Sequence, residues 1–191
     1  MAKPRTMQTF VALMRGINVG STRKVPMAAL RALSVEIGLR HPETYIQSGN
    51  LLIDANIEAD AIGALLERAL AARFGFRVDL VVRRASQWSG YVAANPFAGD
   101  AATVPKMLHL YLARDPLKPG AAKELAAKAK AGERIALAGD ALWIDYGANG
   151  VGKSKLTPLL IDRACGSPAT GRNQNSVEKI AEMIAKRAHA G

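Results

Sequence analysis

Apolar and polar positions follow two different periods along this chain, and the order in which the period changes predicts the elements. Residues 9–14, "TFVALM", are a short apolar run that predicts a strand, followed by a polar loop from Arg15 to Lys24. Pro26 suits the first turn of a helix running to about Ile37, because its missing N–H has no partner there, and Gly38 is the expected stop. "TYIQS" and "NLLID" (residues 44–54) predict two short strands joined around Gly49. From Ile57 to Phe74, residues Ile62, Leu65, Leu66, Ala69 and Leu70 keep helical spacing, and Gly75 ends the helix. Residues 77–83 alternate Val78, Leu80 and Val82 with polar neighbours, as a half-buried strand does.

The small and polar stretch "AANPFAGDAATVP" (93–105) reads as a linker, and beyond it the order repeats. A strand over 106–113, an alanine-rich helix over 121–131 and a hairpin of 134–138 with 141–146 are predicted in turn. A short helix then ends near Cys165 and Gly166, and a weak extended stretch leads to the last helix. That helix is expected to be capped by Asn175 with Glu178 three residues on, and to bury Val177, Ile180, Ala181 and Ile184. Two strand-helix-strand-strand-helix-strand units in tandem predict an α+β fold: two ferredoxin-like sandwiches, over 1–97 and 98–191, the second carrying the C-terminal helix.

In such a sandwich the helices cover one sheet face. Alternation in "KMLHLYLA" and "ALWIDY" predicts that His109, Tyr111, Trp143 and Asp145 lie together on the other face. Aromatics on an open sheet resemble an RNA-binding surface, although the basic-aromatic signature of such domains is absent. Packing of that face on the other unit or on a second subunit is the alternative.

Charge sharpens this picture. The 191 residues carry a net +10, spread along the chain rather than gathered in a tail, which favours anionic partners; a basic surface that only aids solubility is the bland alternative. Apolar residues make up 49%, enough for a packed core. Cys165, the single cysteine, excludes an internal disulfide and a cysteine-rich metal site, and its position after "LLIDRA" suits a core residue. No secretory leader pattern opens the chain and no 18 consecutive apolar residues occur, so a cytoplasmic protein without membrane spans is expected. No zinc-protease, hydrolase-elbow or Cys/His metal spacing is present, and no cofactor is expected.

One motif asks for a nucleotide. "GANGVGKS" (147–154) follows a strand and spells G-x-x-x-x-G-K-S. A phosphate loop needs a helix beginning at the Gly-Lys-Ser, and Pro158 would clash with the carbonyl four residues back in such a helix. Thr157 as cap with Pro158 in the first turn is the better start. What survives is a glycine-rich loop in which Lys153, Ser154 and Lys155 are candidates to hold an anion.

Three further stretches carry candidate ligand-binding residues. "RGINVGSTRK" (15–24) joins a strand to a helix with two glycines, and presents Arg15, Asn18 and Lys24. "YIQSGN" (45–50) sets Gln47, Ser48 and Asn50 on a tight connection, where Asn and Ser also serve as plain turn formers. "TGRNQNS" (170–176) places Arg172 and Asn173 before a helix N-terminus, with Arg suited to bidentate phosphate recognition.

"LMRGINVGSTRKVPMAALR" (13–31), "TYIQSGNLLI" (44–53), "GKSKLT" (152–157) and "TGRNQNSV" (170–177) resemble domain-of-unknown-function family 1697, which is widespread in bacteria. The resemblance implies a duplicated ferredoxin-like architecture and no activity, with no established catalytic residues to carry over. Gln174 departs from the Trp expected between the two asparagines, which weakens a stacking role there, and the family pattern centres on Ser154-Lys155 rather than on Gly147 and Lys153.

The functional expectation is therefore a module binding an anion, either nucleic acid or a phosphorylated ligand. An enzyme acting on a phosphate-bearing small molecule, with His109 or Ser48 in the chemistry and Asp145 a conceivable partner of His109, is one alternative. An assembly protein is the other.

Overall fold

The computed structural model describes residues 6–100 and 103–189. Residues 1–5, part of the segment read for a leader, and residues 101 and 102, part of the expected linker, lie outside them. Two units emerge, one ending at Trp88 and the other running from Ser89 to His189.

The first contains β1 (Gln8–Met14), α1 (Met27–Glu36), β2 (Arg40–Tyr45), β3 (Asn50–Ala55), α2 (Ala59–Phe74) and β4 (Leu80–Arg84). Its four strands form an antiparallel sheet in the order β2-β3-β1-β4. Paired residues share a face, so Phe10 with Ile53 and Ala12 with Leu51 and Val82 build one apolar surface. Leu30 and Leu33 of α1 and Ile62, Leu66 and Leu70 of α2 close over it. Each of these large side chains contributes about 1.5–3 kcal/mol on burial. Pro26 stands at the N-cap of α1 rather than inside its first turn, with ψ 134°. Gly75 closes α2 in the left-handed conformation, its N–H on the Ala71 carbonyl.

The second unit contains α3 (Trp88–Ala93), β5 (Leu108–Ala113), α4 (Ala121–Lys128), β6 (Arg134–Ala138), β7 (Ala141–Asp145), α5 (Pro158–Cys165), β8 (Ala169–Asn173) and α6 (Gln174–His189), α3 starting at the unit boundary. Its strands repeat the first order, β6-β7-β5-β8, again antiparallel. The described residues thus form a mixed α+β protein with two four-stranded antiparallel sheets and six α-helices, the last at the C-terminal end.

Two helix ends depart from expectation. α4 stops at Lys128, three residues early. α6 begins at Gln174, and its cap is Asn173, whose Oδ1 accepts the Ser176 N–H at 3.0 Å; Asn175 lies inside the first turn. The residue after β8 therefore turns directly into helix, leaving no room for a separate capping loop.

The 93–105 stretch is not free. The Arg134 guanidinium lies 4.8 Å from the Phe97 ring centroid, donates to the Asp100 carboxylate and reaches Thr103 Oγ1 at 2.8 Å. Its other bonds run to buried Asp145 Oδ2, at 3.0 and 2.5 Å. Tyr91 Oη donates to Asp140 at 3.0 Å and ties α3 to the β6–β7 turn.

The core beneath α4 and α5 holds Leu125, Leu142, Ile144, Tyr146, Ile161, Ala164 and Cys165. Cys165 is fully buried and burial pushes its thiol up to about 11, so it is an inert packing residue. Tyr111 and Tyr146 join their hydroxyls at 2.8 Å, and the Tyr111 ring crosses β8 over Gly171, where a Cβ would sit 2.5 Å from ring carbon Cζ. Gly171→Ala is accordingly expected to cost about 1–3 kcal/mol by overpacking. Combining it with Tyr111→Leu, which withdraws the ring, should recover part of the loss in a urea titration. Additive losses in the double variant would show that the ring is not the obstacle.

Candidate functional site

The strands bring two of the predicted stretches together at one end of the first unit. Because β1 runs antiparallel to β3 with Leu13 opposite Asn50, the loop leaving β1 and the turn entering β3 must meet. Met14 N–H donates to the Gly49 carbonyl at 2.9 Å. Gly49 permits the approach: it has φ 76°, and a Cβ there would stand 2.6 Å from Met14 Cβ and 2.8 Å from Ile17 Cδ1.

Asn18 does the joining. Its Nδ2 donates to Val25 O at 2.9 Å and to Gln47 O at 2.8 Å, and its Oδ1 accepts the Val25 N–H at 2.8 Å. One side chain thereby closes the 18–25 loop and fastens it to the 46–49 turn. Asn50, fully buried, donates to Tyr45 O at 3.1 Å and to Ser48 Oγ at 3.0 Å. Asn18 and Asn50 are thus positioning residues, bonded within the loop and the turn themselves.

Around this frame the surface is open and basic. Gly16 and Gly20, at φ 61° and 63°, have nothing within 4 Å of a Cβ position, so a side chain at either would project into open space. Lys24 and Gln47 are exposed, while Arg15 and Ser48 are half-buried. Arg23, which the sequence offered only as one loop cation, adopts φ 53°, donates to Arg77 O at 2.5 Å and lies 5.4 Å from the Phe76 ring centroid. Ile46, a β-branched residue, holds φ 48°, which costs energy in an unconstrained chain. Ile46 and Val19 expose 50% and 70% of their surface beside the Gln47–Asn18 bond, so both loop tips are apolar. A signal for these tips was present, since a branched apolar residue in a polar loop has no packing reason to be there.

Three candidate residues of the second unit, Ser154, Arg172 and Asn173, bond within that unit's own fold. Residues 147–149 and 151–153 are single 3-10 turns, Ser154 is extended, and α5 starts at Pro158 with Thr157 Oγ1 accepting Leu160 N–H at 3.3 Å. The helix N-terminus that a nucleotide loop requires is therefore not at Lys153. Ser154 Oγ donates to buried Glu133 and accepts the Leu156 N–H at 3.1 Å. Burial raises the Glu133 pKa, but the Ser154 hydroxyl and the nearby backbone N–H groups outweigh it and hold the carboxyl below its ordinary value. Asp162 accepts the Ala169 N–H at 2.9 Å. Lys153 and Lys155 are exposed.

Arg172 is buried, with Nη1 donating to Thr170 Oγ1 at 2.8 Å and Gly171 O at 2.9 Å. Burial pushes its pKa down to about 10, which still leaves it charged at neutral pH. Asn173 caps α6. Gln174 bonds Glu178 at 2.7 Å along the same helix, four residues on.

The expected grouping of His109 and Tyr111 with Trp143 and Asp145 is incorrect. The register sets His109 opposite Ile144 and Tyr111 opposite Leu142, whereas Trp143 pairs with Leu110 and Asp145 with Leu108. The two pairs therefore lie on opposite faces, because aligning two strands by alternation alone leaves a one-residue slip undetermined. Trp143 is 1% exposed and cannot stack on a ligand as an open-face aromatic. His109 meets Tyr146 edge-on at 5.2 Å, and Nδ1 lies 3.2 Å from Met107 O. Burial lowers its pKa; the Met107 carbonyl opposes this and Arg172 adds to it. With Asp145 bound to Arg134 on the other face, no His109–Asp145 dyad exists.

Among the described residues, no group of three His, Cys, Asp or Glu converges to hold a metal, and no helix is long and apolar enough to cross a membrane. A groove of about 390 Å³ lies along α2 between Ala64, Arg68, Ala71 and the 77–79 segment, apart from the candidate residues.

A mixed α+β protein of two four-stranded sheets, with a stapled basic loop pair in the first unit, is the class these observations define. The chain belongs to the family described as protein of unknown function (DUF1697), whose profile matches residues 7–143. No curated protein matches it. The conserved bacterial protein SP0830 from Streptococcus pneumoniae is structurally similar, with a TM-score of 0.72 at 21% identity, covering 94% of this chain and 99% of that one. At that identity the likeness concerns the fold.

Proposed function

We propose that the protein binds a phosphate-bearing ligand, a nucleotide or single-stranded nucleic acid, at the loop pair of its first unit. The observation that carries this is the Asn18 staple, which fastens the loop bearing Arg15, Gly16, Gly20 and Lys24 to the turn bearing Gln47 and Ser48. Backbone N–H groups and cations suit the phosphate, and the exposed Val19 and Ile46 suit the apolar part of a base or sugar. The net +10 supports the same sign of partner. Lys153 and Lys155, exposed cations of the second unit, are read as contributing to the basic surface only, and Arg172 and Asn173 as structural. We also read each unit as a ferredoxin-like plait, supported by the βαββαβ order and the 4-1-3-2 strand arrangement.

The test is fluorescence anisotropy of a short single-stranded RNA at two salt concentrations. Lys24→Gln with Gln47→Ala is expected to weaken binding by about tenfold and to flatten the salt dependence. The control pair Lys123→Gln and Lys128→Gln, on α4, should cost much less. Equal losses from both pairs would remove the site, and the absence of salt-sensitive binding would remove the nucleic acid.

A further inference from the structure

β2 and β6, each one of the two outer strands of its sheet, differ in how they guard their edges. β2 contains Pro42 and a register break between Arg40 and Glu43, and its His41 bonds Asp54 at 2.8 Å. Such devices keep an edge from pairing with another chain. β6, "RIALA", has none of them. Its five-residue register with β7 is unbroken, the turn is the two-residue Gly139-Asp140, and its one charge, Arg134, is already engaged by Asp100 and Asp145.

In a two-residue hairpin the residues flanking the turn exchange hydrogen bonds, and bonded and non-bonded pairs alternate from there. Arg134, Ala136 and Ala138 therefore direct their backbone groups at β7, and Ile135 and Leu137 direct theirs outward. Leu137 is 56% exposed. We infer that this edge pairs antiparallel with β6 of a second copy of the chain, about a two-fold axis at Ala136.

The strand is complementary to itself in that register. Ile135 stands opposite the partner's Leu137, and Leu137 opposite the partner's Ile135, each pair exchanging both N–H···O bonds through the outward groups. Ala136 meets the partner's Ala136 in the close non-bonded position, which small side chains fit. Arg134 falls opposite the partner's Ala138, so no like charges face each other. The operator closes at two copies, and the sheet becomes continuous across them. A single short strand buries far less than the roughly 1,200 Å² of a stable interface, so the dimer is weak. Each copy carries +10, so salt strengthens association by screening, the reverse of its effect on nucleic-acid binding.

Sedimentation velocity of the full chain from about 10 µM to about 1 mM is the test. A reversible monomer–dimer equilibrium that tightens with salt is expected. Leu137→Pro removes only an outward N–H, and Leu137→Lys places a charge opposite the apolar Ile135; each should weaken dimerisation at least about tenfold. Unchanged circular dichroism and melting of Leu137→Lys keep the comparison valid whether or not the proline variant folds. A wild type that stays monomeric throughout, or a dimer indifferent to Leu137→Lys, overturns the inference. Neither result bears on the loop pair, whose binding is measured separately.

Discussion

Replacing Gly49 with alanine is expected to lower stability by about 3 kcal/mol, among the largest effects of any single methyl group added to this chain. Two costs add. At φ 76° an L-residue is disfavoured by about 1–2 kcal/mol. The new Cβ would also stand 2.6 Å from Met14 Cβ, a backbone-anchored atom of a central strand that cannot swing aside, and 2.8 Å from Ile17 Cδ1. Gly38→Ala separates the terms, because Gly38 has φ 87° and nothing within 4 Å of its Cβ position, so only the conformational part remains. In urea titrations with unchanged slopes, Gly49→Ala should lose clearly more than Gly38→Ala. Equal losses would mean that the contact between the turn and β1 relaxes freely, and the loop pair would not be a rigid frame.

Asn18→Ala is the second large effect, expected at about 2–3 kcal/mol. The substitution strands the Val25 N–H, on a residue with no exposed surface, and leaves the carbonyls of Val25 and Gln47 without this donor. It also keeps a left-handed backbone, φ 55°, that asparagine tolerates and alanine does not. Asn18→Asp retains an acceptor for Val25 N–H but loses both donors, so its loss should be intermediate. Asn18→Gly relieves the backbone and loses every side-chain bond. Faster amide exchange at Val25 in Asn18→Ala, together with weaker RNA binding, would tie the staple to the site. Lost stability with RNA affinity unchanged would mean that the frame matters to folding alone.

The elements themselves were legible because each depends on local chemistry. Thr157 with Pro158 predicted the start of α5, and the glycines at 38 and 75 predicted where α1 and α2 end, through rules that need only a few neighbouring residues. The same local chemistry excludes the nucleotide loop, since a proline five residues after Lys153 contradicts the required helix whatever surrounds it. α6 is capped two residues before the expected position because asparagines at 173 and 175 are equally good caps in sequence. Only the length of β8, paired to β5 as far as Asn173, chooses between them.

What lay beyond the sequence was every relation between distant residues. Alternation shows that Trp143 and Asp145 share a side, and that His109 and Tyr111 do. Which side meets which depends on the register of β5 against β7, a cooperative property of the whole sheet. Arg172 reads as a surface cation and is buried, because burial follows from what packs on a strand and not from the strand's composition. The 15–24 and 46–49 loops were both visible as polar, glycine-bearing stretches. The sequence by itself determined their residue types and the helices and strands between them, since propensity, capping and hydrophobic period act over a few residues. Tertiary structure alone decided that they meet, because the antiparallel pairing of β1 with β3 brings together chain segments some thirty residues apart, Asn18 and Gln47, that no local rule connects.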